Sequence, residues 1–465
     1  MMRASAVVEN AGIPTVSLIC DGFSGQAAAI SPGLGIANLP VARIVGHVDG
    51  QERDELRQNL RAVTVNEVIR GLTEASASAA TAAEYDNGSV VARGTFDAVN
   101  QVFYEREWSD GLSIVPPTAG RVAAFLAQTD DDPDRIIGVL QPSGAAATVT
   151  NVAINGVMAN CRPEYMPVLI AIAEVLADPG YGIEHSGDTT GGDALIVLSG
   201  PIVRQLGFNC EGAALRDGYQ ANTSVGRFLR LYLRNVARCL PGGADKSTFG
   251  HTWRVVLAEN EAAAEALGWP LFSVDRGFEP GADIVTIGRF TSGGTIGSIY
   301  GNDRDQIVRY LADGLVRQSS WELVFTVGFA RGTYRPLLVL SPMVANTLAR
   351  SGTTKQDLRE LLFRHARLPA RMMETYIGAW SNLVPGRPTL AQLVAAGTAA
   401  PHFAESDDPE RLVPIVEAPE DILLVLSGDP LRSNAYAFAS NGMHGFPTSQ
   451  RIRLPKRSLN SEPLK

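Results

Sequence analysis

The sequence predicts an α/β fold: a small N-terminal α/β domain followed by a larger body of two related α/β halves with buried, mainly parallel strands. Three observations predict it. The 465 residues are 45% apolar and 19% charged, with Gly and Pro spread along the chain, a composition that folds and a length that exceeds one ordinary core. Short apolar runs alternate with helical stretches, which favours parallel pairing. Finally, one sentence is written three times: Leu195-Ile196-Val197-Leu198-Ser199-Gly200, Leu337-Leu338-Val339-Leu340-Ser341-Pro342 and Leu423-Leu424-Val425-Leu426-Ser427-Gly428. Each is a wholly apolar run ending in Ser and a turn former, the pattern of a central strand buried on both faces that exits into a loop.

In chain order, the first unit comprises a strand Thr15–Cys20, a Gly-containing loop, a strand around Val41–Val45 and a charged helix from Gln51 to Leu72. Thr73 to Gly94 shifts to Ala, Ser and Thr with Asp86-Asn87-Gly88 and reads as a linker. The predicted domains are therefore 1–94, 95–315 and 316–465. The first two Ser-ended strands are each followed by a helical stretch, Val203–Leu206 and Val344–Arg350, and then by a second helix through Arg227-Phe228-Leu229-Arg230 and Ala370-Arg371-Met372-Met373. That spacing predicts a duplicated half, the third copy keeping only strand and loop. Ligands in open α/β sheets sit beyond the carboxyl ends of strands, so the three Ser-ended loops are expected to converge on one crevice.

A net charge of −9 and the lack of an arginine-rich or aromatic-basic run argue against nucleic acid as a partner. No secretory signal is read in the first twenty residues, and the longest apolar stretch, Met166–Ala177, falls short of the roughly 20 residues of a membrane span. A cytoplasmic protein is expected. Its four cysteines, Cys20, Cys161, Cys210 and Cys239, lack zinc or dithiol spacing and are expected as free thiols. Metal ligation is left open, although Glu184-His185 with Asp188, and His444, lack recognised ligand spacing. Gly242-Gly243 and Gly293-Gly294 do not follow a strand with dinucleotide spacing, so no nicotinamide or flavin cofactor is expected.

Three polar clusters could carry chemistry. In Asn160-Cys161-Arg162-Pro163-Glu164-Tyr165, Pro163 and Glu164 suit a first helical turn, and unpaired N–H groups with Arg162 would favour a Cys161 thiolate. The plain alternative is a helix cap with Arg162 and Glu164 paired at the surface. Asn222-Thr223-Ser224-Val225-Gly226-Arg227 opens a helix and could hold a carboxylate or phosphate, or be an ordinary cap. Thr248 and His251, and beyond one strand Glu259 and Asn260, form the third cluster, with Glu259 a general acid or base if burial raises its pKa.

Several motifs in order strengthen the enzyme reading: Ile114-Val115-Pro116-Pro117-Thr118, Asp134-Arg135 leading to Val139, the Cys161 run, Ala221–Arg227, Asp245-Lys246-Ser247-Thr248-Phe249-Gly250, Ala258-Glu259-Asn260-Glu261 and Arg276-Gly277-Phe278. Together they resemble the UGSC-like (seleno)protein family over roughly residues 110 to 290, and Gly12–His47 looks like that family's small N-terminal domain. The resemblance implies a Cys161-centred enzyme site. It also implies a first strand running into a Sec/Cys-Gly-Ser-Cys motif at a helix start. That motif is absent here, and Met1–Asn10 looks like what remains of the helix. Either a second subunit supplies the motif and completes the small sheet, or this protein does not use it.

The expected function is an enzyme that makes or breaks a carbon–heteroatom bond in a small anionic substrate. Cys161 would act as nucleophile or redox thiol, and Glu164 or Glu259 would move a proton. Arg162 and Arg227 would bind the substrate, with Tyr165, Asn222, Ser224, Asn260, Ser199 and Ser427 lining the site. Two alternatives stand beside it: a hydrolase, hydratase or dehydratase with water activated by Glu259 or His251 and Cys161 only structural, and a non-catalytic large subunit of a complex. A homo- or hetero-oligomer is expected.

Overall fold

The computed structural model describes residues 2–36, 38–74, 88–251, 253–381 and 383–456, so most of the expected linker, residues 75–87, lies outside the described residues. The fold is α/β. The chain divides into two compact units: unit 1 comprises 1–166, 183–191 and 228–250, and unit 2 comprises 167–182, 192–227 and 251–465. These limits differ from the sequence boundaries at 94 and 315.

Unit 1 begins with α1 (Met2–Asn10), β1 (Ser17–Cys20), α2 (Ser24–Ile30) and β2 (Val41–Ile44), then α3 (Arg53–Asn59), a π turn over Leu60–Thr64, and α4 (Val65–Thr73). β1 and β2 pair in parallel, Ser17 opposite Val41. The outer edge of β2 is closed by side chains: the Arg43 N–H donates to Glu67 and the Arg43 C=O accepts from the Thr64 hydroxyl. Leu18 of β1, by contrast, is 40% exposed. Next come α5 (Phe96–Glu105), α6 (Ala119–Leu126), the antiparallel pair β3 (Ile136–Leu140) and β4 (Ala145–Thr148), and α7 (Val149–Met158). A capping box of Thr148 and Asn151 starts α7 by satisfying two N–H groups at once.

Unit 2 is organised by one large sheet. Its elements are α8 (Met166–Ala177), β5 (Asp193–Ser199), α9 (Ile202–Gln205), α10 (Gln220–Asn235), β6 (Val256–Ala258), α11 (Glu261–Leu267), α12 (Phe272–Asp275), β7 (Ile284–Ile296), α13 (Arg304–Gln318), β8 (Leu337–Leu340), α14 (Pro342–Arg350), α15 (Lys355–His365), β9 (Arg367–Pro369), α16 (Ala370–Glu374), α17 (Leu390–Ala395), β10 (Leu412–Pro414), β11 (Leu423–Leu426), β12 (Ala435–Ser440) and β13 (Thr448–Arg451). α8 and α10 each run past the unit limit.

The sheet order is β11-β8-β12-β7-β5-β6, with β13 beside β7. β5–β6 and β8–β11 are parallel, whereas β5–β7, β7–β12, β12–β8 and β13–β7 are antiparallel. The expected mainly parallel pairing is therefore corrected to a mixed sheet. An apolar run buried on both faces reads the same in either direction, so its composition does not report how its neighbour runs.

The strands form two triplets of the same order and pairing, β6-β5-β7 and β11-β8-β12, which join antiparallel through β7 and β12. The Leu195 and Leu337 strings fill equivalent places, β5 and β8, while the third string occupies β11, the counterpart of β6. Residues alternate between faces as a strand requires. Leu337 and Val339 pack with Leu195, Val197, Leu257, Val425 and Phe438 in one cluster, whereas Leu338 and Leu340 pack with Leu311, Leu348 and Leu362 of α13, α14 and α15 in the other. The sheet curls until the C-terminal ends of β6 and β11 meet: the Asn260 N–H donates to the Leu426 carbonyl at 2.8 Å, and the Ser427 hydroxyl to the Ala258 carbonyl at 2.8 Å.

Among the described residues no single helix is long and apolar enough to cross a membrane. The apolar α8 is buried, and its Glu174 is paired with Arg453.

Gly226 marks the tightest contact of α10. A Cβ there would lie 2.1 Å from the Arg254 carbonyl oxygen, so only glycine lets the helix lie on the strand entering β6. Gly226→Ala is expected to cost about 2 kcal/mol in denaturant unfolding despite its better helix propensity.

Candidate functional site

The backbone of the Cys161 run in unit 1 follows from how α7 ends. α7 ends in a Schellman motif: Asn160 takes the left-handed conformation at φ 62°, its N–H donates to Val157 O at 2.9 Å, and the Cys161 N–H donates to Gly156 O at 3.0 Å. Cys161 is the 8% exposed apolar residue that follows such a stop. Arg162 then caps a short 3₁₀ turn, Pro163–Tyr165, that leads into α8. Arg162 pairs with Glu164 at 3.3 Å, both about two-fifths exposed, and its guanidinium lies 5.3 Å from the ring centre of buried Tyr165. Burial pushes the Tyr165 phenol up, against the pull of Arg162. Thr248, also in unit 1, is exposed, and its hydroxyl donates to Thr189 O.

The other predicted residues lie in unit 2. Asn222 is buried and works as a clamp: its amide donates to Asn209 O and Val256 O and accepts from the Asn209 N–H. Ser224 is buried with no hydrogen-bond partner for its hydroxyl among the described residues. Arg227 is half-buried on α10. His251 is exposed and stacks on Trp253, with ring centres 5.7 Å apart. Asn260 caps α11, accepting from the Ala263 N–H at 3.0 Å.

Two of the three Ser-ended loops converge. Ser199 donates to Glu259 at 2.5 Å, and Ser427 donates to Ala258 O and Cys210 O, so both meet at the Ala258-Glu259-Asn260 turn that ends β6. Ser341 instead donates to Arg432 O and sits at the start of α14.

Glu259 is fully buried. Its carboxylate accepts from Ser199 and, at 2.9 Å to each oxygen, from the Phe272 N–H at the start of α12. Burial raises its pKa, while Lys355, Ser199 and the Phe272 N–H pull it back. Glu259 has no solvent-facing surface, and both its oxygens are engaged by neighbouring donors.

Sequence reasoning missed a second perturbed carboxyl, two residues beyond Glu259. Glu261, first residue of α11, is half-buried, and its Oε1 has no hydrogen-bond partner among the described residues. Burial first, then the charges of Glu259, Asp283 and Glu265, push its carboxyl up to about 7, against a hydrogen bond from the Gly200 N–H. Asp283 accepts from the Ile202 N–H at 2.7 Å, and burial raises it too. Gly200, at φ 121°, lies against Asp283, where a Cβ would approach to 2.6 Å. Cys210 completes the group: burial first, then the charges of Glu211 and Glu261, push its thiol up and keep it protonated. The Glu-Asn-Glu spacing across a strand-ending turn was the one available sequence signal, because it puts a second carboxylate beside the buried one.

The comparison with known families bears on the other end of the chain. Residues 1–74 match the UGSC family. The UGSC-like segment takes in β1, β2 and α1 to α4, and it ends before the 110–290 stretch that carried most of the resemblance read in the sequence. No curated protein and no solved structure matches the chain. Among the described residues, no three or more His, Cys, Asp or Glu side chains are grouped to hold a metal ion.

Two expectations follow. Asn160→Ala lowers stability by about 1 kcal/mol, because its left-handed φ is strained for alanine, while Asn160→Gly does not; denaturant melts check both. The folded state holds the Glu261 proton more tightly than the unfolded state does, so stability falls as pH rises from about 4.5 to about 7. Glu261→Gln should therefore match the wild type at pH 4 and exceed it by about 1 kcal/mol at pH 8, after allowance for solvent screening of a half-exposed group.

Proposed function

We propose that the chain is an enzyme in which Glu261 is the general base of a water-dependent reaction, of the hydrolase, hydratase or dehydratase kind. One observation carries this reading: a half-buried carboxyl raised to about 7, with an unpartnered oxygen, beyond the carboxyl ends of the parallel strands β5 and β6. Such a group exchanges protons readily at neutral pH. Ser199 and Glu259 hold the turn that carries it, and the Cys210 thiol lies beside it.

The surroundings favour a neutral or cationic substrate over the anionic one expected from sequence. The Gly200 and Ile202 N–H groups, which could bind an anion, are already taken by Glu261 and Asp283, and the charges acting on Glu261 are carboxylates. The Cys161 run is less suited to the chemistry, because its buried thiol ends a helix and its Arg162–Glu164 pair is exposed.

A second reading, that the chain is the large subunit of a complex, draws on the UGSC-like segment. A two-stranded parallel sheet is marginal by itself, and among the described residues β1 pairs with β2 alone. If the chain turns over unaided as a monomer, this second reading falls.

Screening small neutral and cationic substrates by proton release or uptake in weak buffer tests the main reading. The rate should climb with pH to a plateau above about pH 7. Glu261→Gln should cut kcat at least about 100-fold, with Cys161→Ala retaining activity. The opposite pattern, loss with Cys161→Ala and retention with Glu261→Gln, would return the site to Cys161.

A further inference from the structure

The connection between α9 and α10, residues 206–219, contains neither helix nor strand, and part of it packs on the inside of the curled sheet. That inside holds one apolar cluster with side chains from every strand between β6 and β11 in the sheet order, together with Phe272 of α12, while α13, α14 and α15 pack on the other face. Ala214 and Leu215 pack on the inner cluster, whereas Glu211, Ala213, Arg216, Asp217 and Gly218 around them are exposed. The hydrogen bonds of the stretch are local: Asn209 holds the Glu211 N–H and the Gly212 carbonyl, the Ala213 carbonyl accepts from the Arg216 N–H, and the Gly218 N–H donates to Thr223. These bonds stay within residues 209–223, so contact with the cluster comes from Ala214 and Leu215. Both ends are fastened. Asn222 clamps Asn209, and the Cys210 carbonyl accepts from the Gly428 N–H at 3.0 Å and from the Ser427 hydroxyl at 3.2 Å, the same hydroxyl that donates to Ala258 O. Between the ends, Ala213 is held at φ 61°, a conformation that a Cβ disfavours, so the packed form stores strain that lifting the stretch releases.

We propose that residues 211–218 form a lid over the inside of the curled sheet, with Ala214 and Leu215 as its plug and Cys210 and Gly218 as its hinges, and that lifting it opens the turn that carries Glu259 and Glu261. The second part rests on the reading of that turn as the reacting site, and the lid itself does not. Lifting the stretch breaks one small apolar contact and a few bonds within 209–223 and leaves every strand pairing intact, so it costs far less than unfolding. The root of the lid lies at the site, because Ser427 binds the Cys210 carbonyl and the Ala258 carbonyl with one hydroxyl. The plug lies on the cluster that includes Leu257, which precedes that turn on β6, and Phe272, whose N–H holds Glu259. A lid so placed admits a small molecule when open and excludes water when closed.

The test is limited trypsin digestion of the full chain under native conditions, with cleavage after Arg216, an exposed residue of the lid, followed by fragment mass. Leu215→Ala should speed that cleavage about tenfold by removing most of the plug. Leu362→Ala, which truncates a buried side chain of the cluster on the opposite face, should leave it unchanged. Where Leu362→Ala does not fold, the urea dependence of wild-type cleavage replaces it, since a local opening exposes little surface and responds weakly to low urea. No effect of Leu215→Ala, equal acceleration by both variants, or cleavage that climbs steeply in low urea overturns the lid. Alkylation of Cys210 at fixed pH, measured by peptide mass, should rise together with cleavage in Leu215→Ala; cleavage that rises without it overturns the link between the lid and the site. Neither readout uses turnover, so a failure of the general-base reading leaves both results as they are.

Discussion

Glu259 presents the constraint around which unit 2 is arranged. A carboxylate with no exposed surface must find donors and a counter-charge, or it cannot stay ionised. Here the donors come from two directions, the Ser199 hydroxyl after β5 and the Phe272 N–H opening α12. Burial raises the Glu259 carboxyl and Lys355 opposes that rise, while Lys355 itself is held by Asp275 and the Pro270 carbonyl. Satisfying one side chain therefore ties together the ends of β5 and β6, the short helix α12 and the start of α15. The loops at this end of the sheet inherit their positions from that network.

The strand arrangement explains why the network sits where it does. Each triplet places its outer parallel strand at a sheet edge, β6 in one and β11 in the other, and curling brings those edges together at their C-terminal ends. The Glu259 N–H bonds to Leu198 O and the Ser427 N–H to Leu340 O, the same contact made once in each triplet. Strand ends in α/β proteins offer unpaired N–H groups to ligands. In the first triplet the chain fills these with its own carboxylates, Glu261 at Gly200 and Asp283 at Ile202, so the place where an anion would bind becomes a place where protons are held.

The apolar strings at 195, 337 and 423 were legible as buried strands because their composition allows nothing else of that length, and β1 and β2 were legible within a residue or two. Strand direction was not, since a run buried on both faces carries no record of its neighbour's polarity. The local setting of the Cys161 run was not legible: Asn160 in the left-handed region makes Cys161 the residue that ends one helix, and in sequence this looks the same as the approach to the next. Glu259 was legible as a carboxylate that burial would perturb. Its complete burial was not, and neither was the raised carboxyl of Glu261 two residues along. Lys355 lies 96 positions beyond Glu259 and was invisible as a partner, because only packing of α15 against the α12 segment brings its charge to bear.

The shifts at this site follow first from burial and then from neighbouring charges. Burial and the charges of Glu259, Asp283 and Glu265 raise the Glu261 carboxyl, and burial raises Asp283 as well. The Glu261 carboxyl is pushed up to about 7, and burial first, with the charges of Glu211 and Glu261, pushes the Cys210 thiol up. A thiol held neutral beside a carboxylate is a poor nucleophile and a weak competitor for the base. The burial that lifts the Glu261 carboxyl also lifts the Cys210 thiol, so in the proposed reading Glu261, not Cys210, is the group that moves a proton.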